Sequence, residues 1–413
     1  MLPYNKFLAS KLLGEQATDT RKVRYFIFLK DIFYLTITSF GGAQAHLTLF
    51  LKVFVEKRKY INEKELVELT AFCNLLPGPA STQTLAAIGY KLGGYRLATF
   101  AILVWIIPTS LLMIAAAIGI SYFQRHNLSI DFTRFIQPMA VAFVAFSAYK
   151  ISRTALVTKT SVFIFCTSIV AIYLIQYPGI FPALLILAGC ITSIRFTKQE
   201  KEEKSGISIH WWNLFIYASI FIGAAIIGAI TDFKIIRLFE NFFRNGSMIF
   251  GGGHPLSALF YKEFVQFKEY LSPEEFLSGF AIQQALPGPI FSFTAFVGAL
   301  SMREYGLWGE IAGGLVSTAA IFLPGILFIF FMLNLWEKLK KYRVVKASLE
   351  GINAACAGIV TATAILLFQP LAQPFELAYL SYGVLGGTLL LLFFTKIPPP
   401  FIIISGLIAG ILI

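Results

Sequence analysis

Four residues, Leu76-Pro77-Gly78-Pro79, and their copy Leu286-Pro287-Gly288-Pro289 interrupt stretches of apolar sequence that would otherwise run on as helix. Each proline lacks a backbone donor, clashes with the preceding turn and pushes its predecessor out of helical geometry; the glycine between them admits unusual dihedrals. A continuous helix through either tetrad is not expected. Proline suits the first turn of a new helix, so a half-helix is predicted to begin near Pro79. Its free N–H groups and the positive end of its dipole make a ready anion site. The neighbouring side chains fit that chemistry: Ser81, Thr82, Gln83 and Thr84 follow the first tetrad, Ser292 and Thr294 follow the second, and Gln284 precedes it. Hydroxyls and amides can donate to an oxyanion without a fixed charge that would trap it.

The two tetrads belong to a larger repeat. The offset of 210 residues (286 − 76) also carries Phe40-Gly41-Gly42 onto Phe250-Gly251-Gly252, which Gly253 extends. Without a gap, residues 40–79 and 250–289 agree at 15 of 40 positions, Tyr60/Tyr270 and Glu65/Glu275 among them. A lone Pro-Gly-Pro reads as a kink; two copies, each following a glycine cluster, favour a site. The glycines let backbone approach closely or make a second break, so four half-helix ends could converge. His46 and His254 flank the clusters at unaligned positions, and each reads equally as an anion donor or proton sensor and as an ordinary buried histidine. Lys52 and Lys262 align ten residues past the glycines, where they attract anions or snorkel to headgroups. Asp31 and Glu240 are charges in or near apolar segments and raise a functional question.

The elements that must position these residues are membrane helices. Apolar residues make up 57% of the chain and charged residues 14%, against about 25% charged in a soluble protein. Several apolar runs, 97–123, 208–231 and 306–335 among them, reach the roughly 20 residues that span a bilayer. The expected fold is an all-α polytopic membrane protein with about thirteen membrane segments. A basic arm, 1–24, shows no cleaved signal peptide. The first repeat, 25–195, holds segments 25–50, 66–92, 95–123, 133–153, 160–176 and 180–195. A polar linker with a connecting helix occupies 196–234. The second repeat, 235–413, holds 235–262, 274–302, 306–336, 347–368, 377–394 and 397–413. Six segments plus one linking span place the copies in opposite orientations, an inverted repeat with a substrate site between the halves.

Counted over thirteen full spans with the N-terminus inside, Lys and Arg divide 23 inside to 11 outside. Making the first two segments of each repeat re-entrant hairpins raises the division to 26 to 8. The positive-inside tendency therefore favours hairpins, although full spans stay open. The net charge of +12 is explained by the same tendency and implies no nucleic acid. The cysteines Cys73, Cys166, Cys190 and Cys356 lie far apart in apolar sequence and read as small core residues. No H-E-x-x-H, P-loop or Asp-rich lipid-transferase run is present. Neither an enzyme nor a cofactor or metal is expected.

The stretch Ser39-Phe40-Gly41-Gly42-Ala43-Gln44-Ala45-His46, followed by Leu75-Leu76-Pro77-Gly78-Pro79-Ala80-Ser81-Thr82-Gln83, resembles the N-terminal signature of the chromate ion transporter family. Phe250-Gly251-Gly252-Gly253-His254 and Gln284-Ala285-Leu286-Pro287-Gly288-Pro289 resemble its C-terminal counterpart, and Phe322-Leu323-Pro324 and Ile397-Pro398-Pro399-Pro400 also look like that family. The likeness covers nearly the whole chain, in the two-domain form. Ala43 stands where the family often has proline. The resemblance implies a carrier in the cytoplasmic (inner) membrane that expels chromate, with sulfate, a dianion of the same shape, as competitor or substrate in its own right; a homodimer stays open. A channel and a membrane-embedded enzyme are the readings from other classes.

Overall fold

The computed structural model describes residues 25–40, 42–74, 76–126, 133–175, 180–194, 212–231, 233–249, 255–339, 343–369, 371, 375–395 and 397–412. The basic arm 1–24, the charged linker at 198–206, and Gly41, Gly251, Gly252, Gly253 and His254 lie outside the described residues. Every regular element among the described residues is helical.

The first two segments of each repeat are helical hairpins. Helix α1 (25–38) and α2 (Gly42–Phe50) are separated by residues 39–41, and α2 runs on as a π-helical turn, Leu51–Lys57. The rings of Phe28 and Phe54 are 5.6 Å apart. Along one continuous helix these residues would lie ~39 Å apart (26 residues at ~1.5 Å each), so α2 folds back on α1. Next, α3 (Glu63–Cys73) and the start of α4 (Ala80–Arg125) fold back across Pro77-Gly78-Pro79, as the Lys91–Glu65 ion pair shows. The second copy repeats both devices. Helices α9 (Lys234–Met248) and α10 (Leu256–Phe260, continued by the π turn Tyr261–Phe267) bring Phe242 to 4.7 Å from Phe264. Helices α11 (Pro273–Ala285) and α12 (Phe293–Ser301) meet through Phe280 and Phe293, 5.6 Å apart.

The duplication extends to single dihedrals. Both π turns close on a left-handed residue, Lys59 (φ 54°) and Glu269 (φ 53°), and then on the same hydrogen bond, Tyr60 N–H to the Phe54 carbonyl and Tyr270 N–H to the Phe264 carbonyl, both 2.8 Å. Both Pro-Gly-Pro glycines have positive φ, 109° at Gly78 and 106° at Gly288. Both copies then turn through a glycine at φ 69°, ψ −163°, Gly94 within α4 and Gly306 at the start of α13 (Gly306–Leu339). Each of the long helices that follow carries an internal proline, Pro108 and Pro324.

The two copies interlock. Helix α14 (Arg343–Phe368) of the second packs against α5 (Ile136–Ala155), α6 (Lys159–Leu174) and α7 (Ile180–Ile194) of the first. Helix α5 in turn packs against α11, α14, α15 (Phe375–Phe394) and α16 (Pro399–Leu412). In lipid no hydrophobic force drives helices together, so close approach at small residues does that work. At Gly351 on α14 a side chain would meet the Ala188 carbonyl of α7 at 2.0 Å. The connecting helix α8 (Trp212–Ile230) packs on α9 and α13.

The outer faces are apolar. Phe163 and Leu174 on α6, Ile186 and Leu187 on α7, and Phe215 and Ile230 on α8 all stand exposed. Three helices are long and apolar enough to cross a membrane by length and composition, within α4, α13 and α14, and shorter apolar helices accompany them. With backbone donors satisfied inside helices, such an exterior is what lipid covers. The chain is a helical membrane protein.

Charges in these segments are paired. Asp31 receives two 2.7 Å hydrogen bonds from Arg58, and Glu240 pairs with Arg244 at 3.3 Å, so both residues have a structural explanation. Glu310, on α13 and 1% exposed, accepts from Arg125 of α4 at 2.6 Å and from Ser121, tying one copy to the other. Removing the cation leaves the Glu310 carboxylate buried without it; Arg125 is itself 45% exposed, so the cost falls below the about 3 kcal/mol of a fully buried pair. Arg125→Ala should therefore clearly lower the thermal midpoint of the purified protein in detergent. Adding Glu310→Gln, which removes the orphaned charge, should restore part of the loss; a double variant no more stable than Arg125→Ala would show that the pair is not the cause.

Candidate functional site

The Pro-Gly-Pro loops meet the opposite copy, not their own. The Gly288 N–H donates to the Ser39 carbonyl at 2.9 Å, and the Gly78 N–H donates to the Ile249 carbonyl at 2.7 Å. Ser39 and Ile249 are themselves 210 residues apart and end α1 and α9, so the two bonds are reciprocal. Each loop lies against the proline kink of the other copy's long helix. The Pro287 carbonyl accepts from Thr109 Oγ1, next to Pro108, at 2.6 Å. Gly78 lies against Gly325, next to Pro324. The Gln83 amide closes this second crossover, donating to the Pro77 carbonyl at 2.8 Å and the Gly325 carbonyl at 3.0 Å.

Glycine is required in both loops for its positive φ and for space. A Cβ on Gly288 would stand 2.1 Å from Thr109 Oγ1; one on Gly78 would stand 3.0 Å from the Gly325 Cα. Helix α4 starts directly after Pro79 with no side-chain cap. Its first intrahelical bond runs from Gln83 N–H to the Pro79 carbonyl at 3.0 Å. In the second copy a 3-10 turn, Ile290–Ser292, follows Pro289 before α12 begins.

The predicted polar residues divide. Thr82 and Gln83 are buried, and neither Thr82 Oγ1 nor Gln83 Oε1 has a partner. Ser292 meets Ser110 across the copies at 3.3 Å. Thr294 bonds the Phe291 carbonyl and Thr84 the Ala80 carbonyl, each within its own helix. Ser81 and Gln284 are half-buried. His46 is 1% exposed, packs edge-on against Trp105 at 5.0 Å, and stands beside the backbone of Ser39 and Gly288 without completing a hydrogen bond through either nitrogen.

The aligned lysines part company. Lys52 is exposed. Lys262 is 1% exposed and neither reaches headgroups nor lines a loop: its ammonium donates to the carbonyls of Ile172 and Ile175, capping the C-terminus of α6. Cys73 and Cys356 are buried as expected, whereas Cys166 and Cys190 face outward; none of the four forms a disulfide. No group of His, Cys, Asp or Glu among the described residues could hold a metal ion. A cavity of about 500 Å³ opens between the π turn and α3, lined by Lys59, Glu63 and Glu65 among others, and includes none of the crossover residues.

Sequence reasoning missed Ser39 as a carbonyl acceptor, Trp105, Thr109, Ser110 and Gly325. The signal was present. Pro108 and Pro324 each interrupt a long apolar helix, and the residues directly after them face the opposite loop.

A duplicated, interlocked helical bundle whose broken hairpins cross between copies has the architecture of a membrane transporter. The chain matches the family described as "Chromate transporter" over residues 26–194 and 236–411. It belongs to that family. It is 24% identical to the "Chromate transport protein" of Cupriavidus metallidurans over 94% of this chain and 92% of that protein. It is 23% identical to the "Chromate transport protein" of Pseudomonas aeruginosa over 82% and 79%. An uncharacterized transporter of Methanocaldococcus jannaschii is 22% identical over 88% and 89%. No solved structure matches the chain.

The crossovers predict unequal damage. Gly288→Ala should impair transport more than Gly78→Ala, because its Cβ meets Thr109 more closely, although both incur backbone strain of about 1–3 kcal/mol. Thr109→Gly, which copies Gly325, should return part of the Gly288→Ala loss; flux and thermal midpoint measured together test both points. At the lysines, Lys262→Met should destabilise the protein and Lys52→Met should not. Equal midpoints for those two variants would remove the capping role.

Proposed function

We propose that this protein is a carrier that exports chromate across the cytoplasmic membrane, binding the dianion where the Pro-Gly-Pro hairpins of the two copies cross. The observation that carries this is the reciprocal pair of hydrogen bonds from Gly78 and Gly288. Family membership supports chromate as the cargo. In this reading the four hairpins are re-entrant, since their arms fold back on each other across the breaks. The remaining segments, α8 included, are full spans, an odd number that sets the copies in opposite orientations with the N-terminus inside.

Transport follows by alternating access. The copies rock against each other about the crossovers, where kink prolines and loop glycines allow small rotations. Main-chain N–H groups at the start of α4 and the nearby hydroxyls replace the hydration of the oxyanion without fixing it by a full charge. The membrane potential supplies the drive. One charge moving through 100 mV is worth about 2.3 kcal/mol, so export of a dianion from a negative interior gains about 4.6 kcal/mol per 100 mV. Sulfate, alike in charge and shape, competes.

Proteoliposomes containing only this protein test the reading. Labelled chromate inside, with a potential imposed, should leave saturably, faster at larger potential, and more slowly with sulfate present. Chromate flux independent of potential at a fixed pH gradient would sink the electrogenic scheme, and no chromate flux through correctly inserted protein would sink the assignment of cargo.

A further inference from the structure

The two crossovers share a backbone but not a lining. At the second, the Gly78 loop meets Ile249 and Gly325. At the first, the Gly288 loop meets Ser39 and Thr109, with His46 beside Gly288 and Trp105 against His46. Ser39 and His46 match Ile249 and Leu256 at the repeat offset; Trp105 and Thr109 match Ile321 and Gly325 when the kink prolines Pro108 and Pro324 are superimposed. At these matched positions the polar side chains lie at the first crossover, while the second keeps the Gln83 amide.

We infer that the oxyanion binds at the first crossover alone, with the Trp105 indole N–H and the His46 imidazole as its principal side-chain donors and Ser39 as a supporting hydroxyl. This rests on the transport reading above and narrows it to one chamber. The side chains are all buried: Ser39 and His46 are 1% exposed and Trp105 is 0%. Ser39 Oγ, both His46 nitrogens and Trp105 Nε1 have no hydrogen-bond partner. A buried donor left unpaired costs stability, and native interiors rarely leave several together.

The groups are neighbours. The rings of His46 and Trp105 are 5.0 Å apart and nearly perpendicular, and His46 adjoins the backbone of Ser39 and Gly288. The chemistry suits a tetrahedral dianion. Indole can only donate, imidazole offers an N–H, and the Ser39 hydroxyl rotates to donate. The second crossover has its Pro77 and Gly325 carbonyls satisfied by Gln83 and serves as a hinge.

Chromate absorbs at the wavelengths where tryptophan emits, so it quenches a nearby indole by energy transfer. The full-length protein with Trp211, Trp212, Trp308 and Trp336 all replaced by Phe keeps Trp105 as its sole tryptophan. Chromate should quench this variant saturably, and excess sulfate, which does not absorb there, should restore the emission. Trp105→Phe, which keeps the ring and loses the N–H, and His46→Leu, which copies the second crossover, should each weaken radiolabelled chromate binding by about tenfold or more. Ile321→Val, at the second crossover, should leave affinity unchanged. Normal binding and flux in both Trp105→Phe and His46→Leu, with wild-type flux intact, would overturn the chamber and leave chromate transport standing. Absence of flux in the wild-type protein would overturn the transport reading itself. Should either variant fold poorly, lack of saturable quenching in the single-tryptophan protein overturns the chamber by itself.

Discussion

Two main-chain hydrogen bonds organise this protein. Proline on either side leaves the glycine N–H as the sole donor of each Pro-Gly-Pro core, and in both copies that donor goes to the last carbonyls of a hairpin arm in the other copy. A carbonyl at a helix end has lost its intrahelical partner, and a loop glycine has no helix to donate to. Each crossover satisfies one group with the other. At membrane depth water is not available to do so. The hairpins of one copy therefore depend on the loops of the other, and neither copy's broken helices are satisfied alone.

The remaining contacts hold the crossovers in register. Helices α5 and α14 are each gripped by helices of the opposite copy, so the interface is an exchange of elements and not two flat faces. The phenylalanine pairs across each hairpin, Phe28 with Phe54 in one and Phe242 with Phe264 in the other, keep the arms from splaying. Aromatic pairs of this kind contribute about 0.5–1.5 kcal/mol each beyond their area. The Arg125–Glu310 pair joins the copies again where α4 ends. Rigid hairpins on a hinge of glycines and kink prolines give a bundle with a place to bend.

Much of this was legible in the sequence. The repeat, the breaks at Pro77 and Pro287, and most helix limits follow from proline and glycine chemistry and from apolar run length, because these act locally. The hairpin reading came from the lysines and arginines of the loops, and the contacts of Phe28 with Phe54 and Phe242 with Phe264 agree with it. What stayed hidden was the partner of each residue. Lys262 looked like an electrostatic lure because it aligned with Lys52; its burial against the end of α6 depends on how far apart two segments of the first and second copies lie, which no local pattern records. Thr294 looked like a donor and is spent on its own helix. Trp105 lies unmarked in the apolar run 97–123, since only the fold sets its ring beside His46.

Duplication explains why one crossover can differ from the other. A repeat initially gives two equal junctions, and an inverted pair would offer two equal sites. A carrier needs only one, and a second set of unpaired donors would cost stability without adding a path. Replacing donors by Ile249, Leu256 and Ile321 at one junction removes that cost and keeps the backbone bond that holds the loop. At the other junction Ser39, His46 and Trp105 keep unpaired groups that a packed interior would otherwise eliminate. The asymmetry therefore separates two tasks that the backbone treats alike. In the proposed reading one crossover acts as a hinge, and the other holds its donors in reserve for an anion.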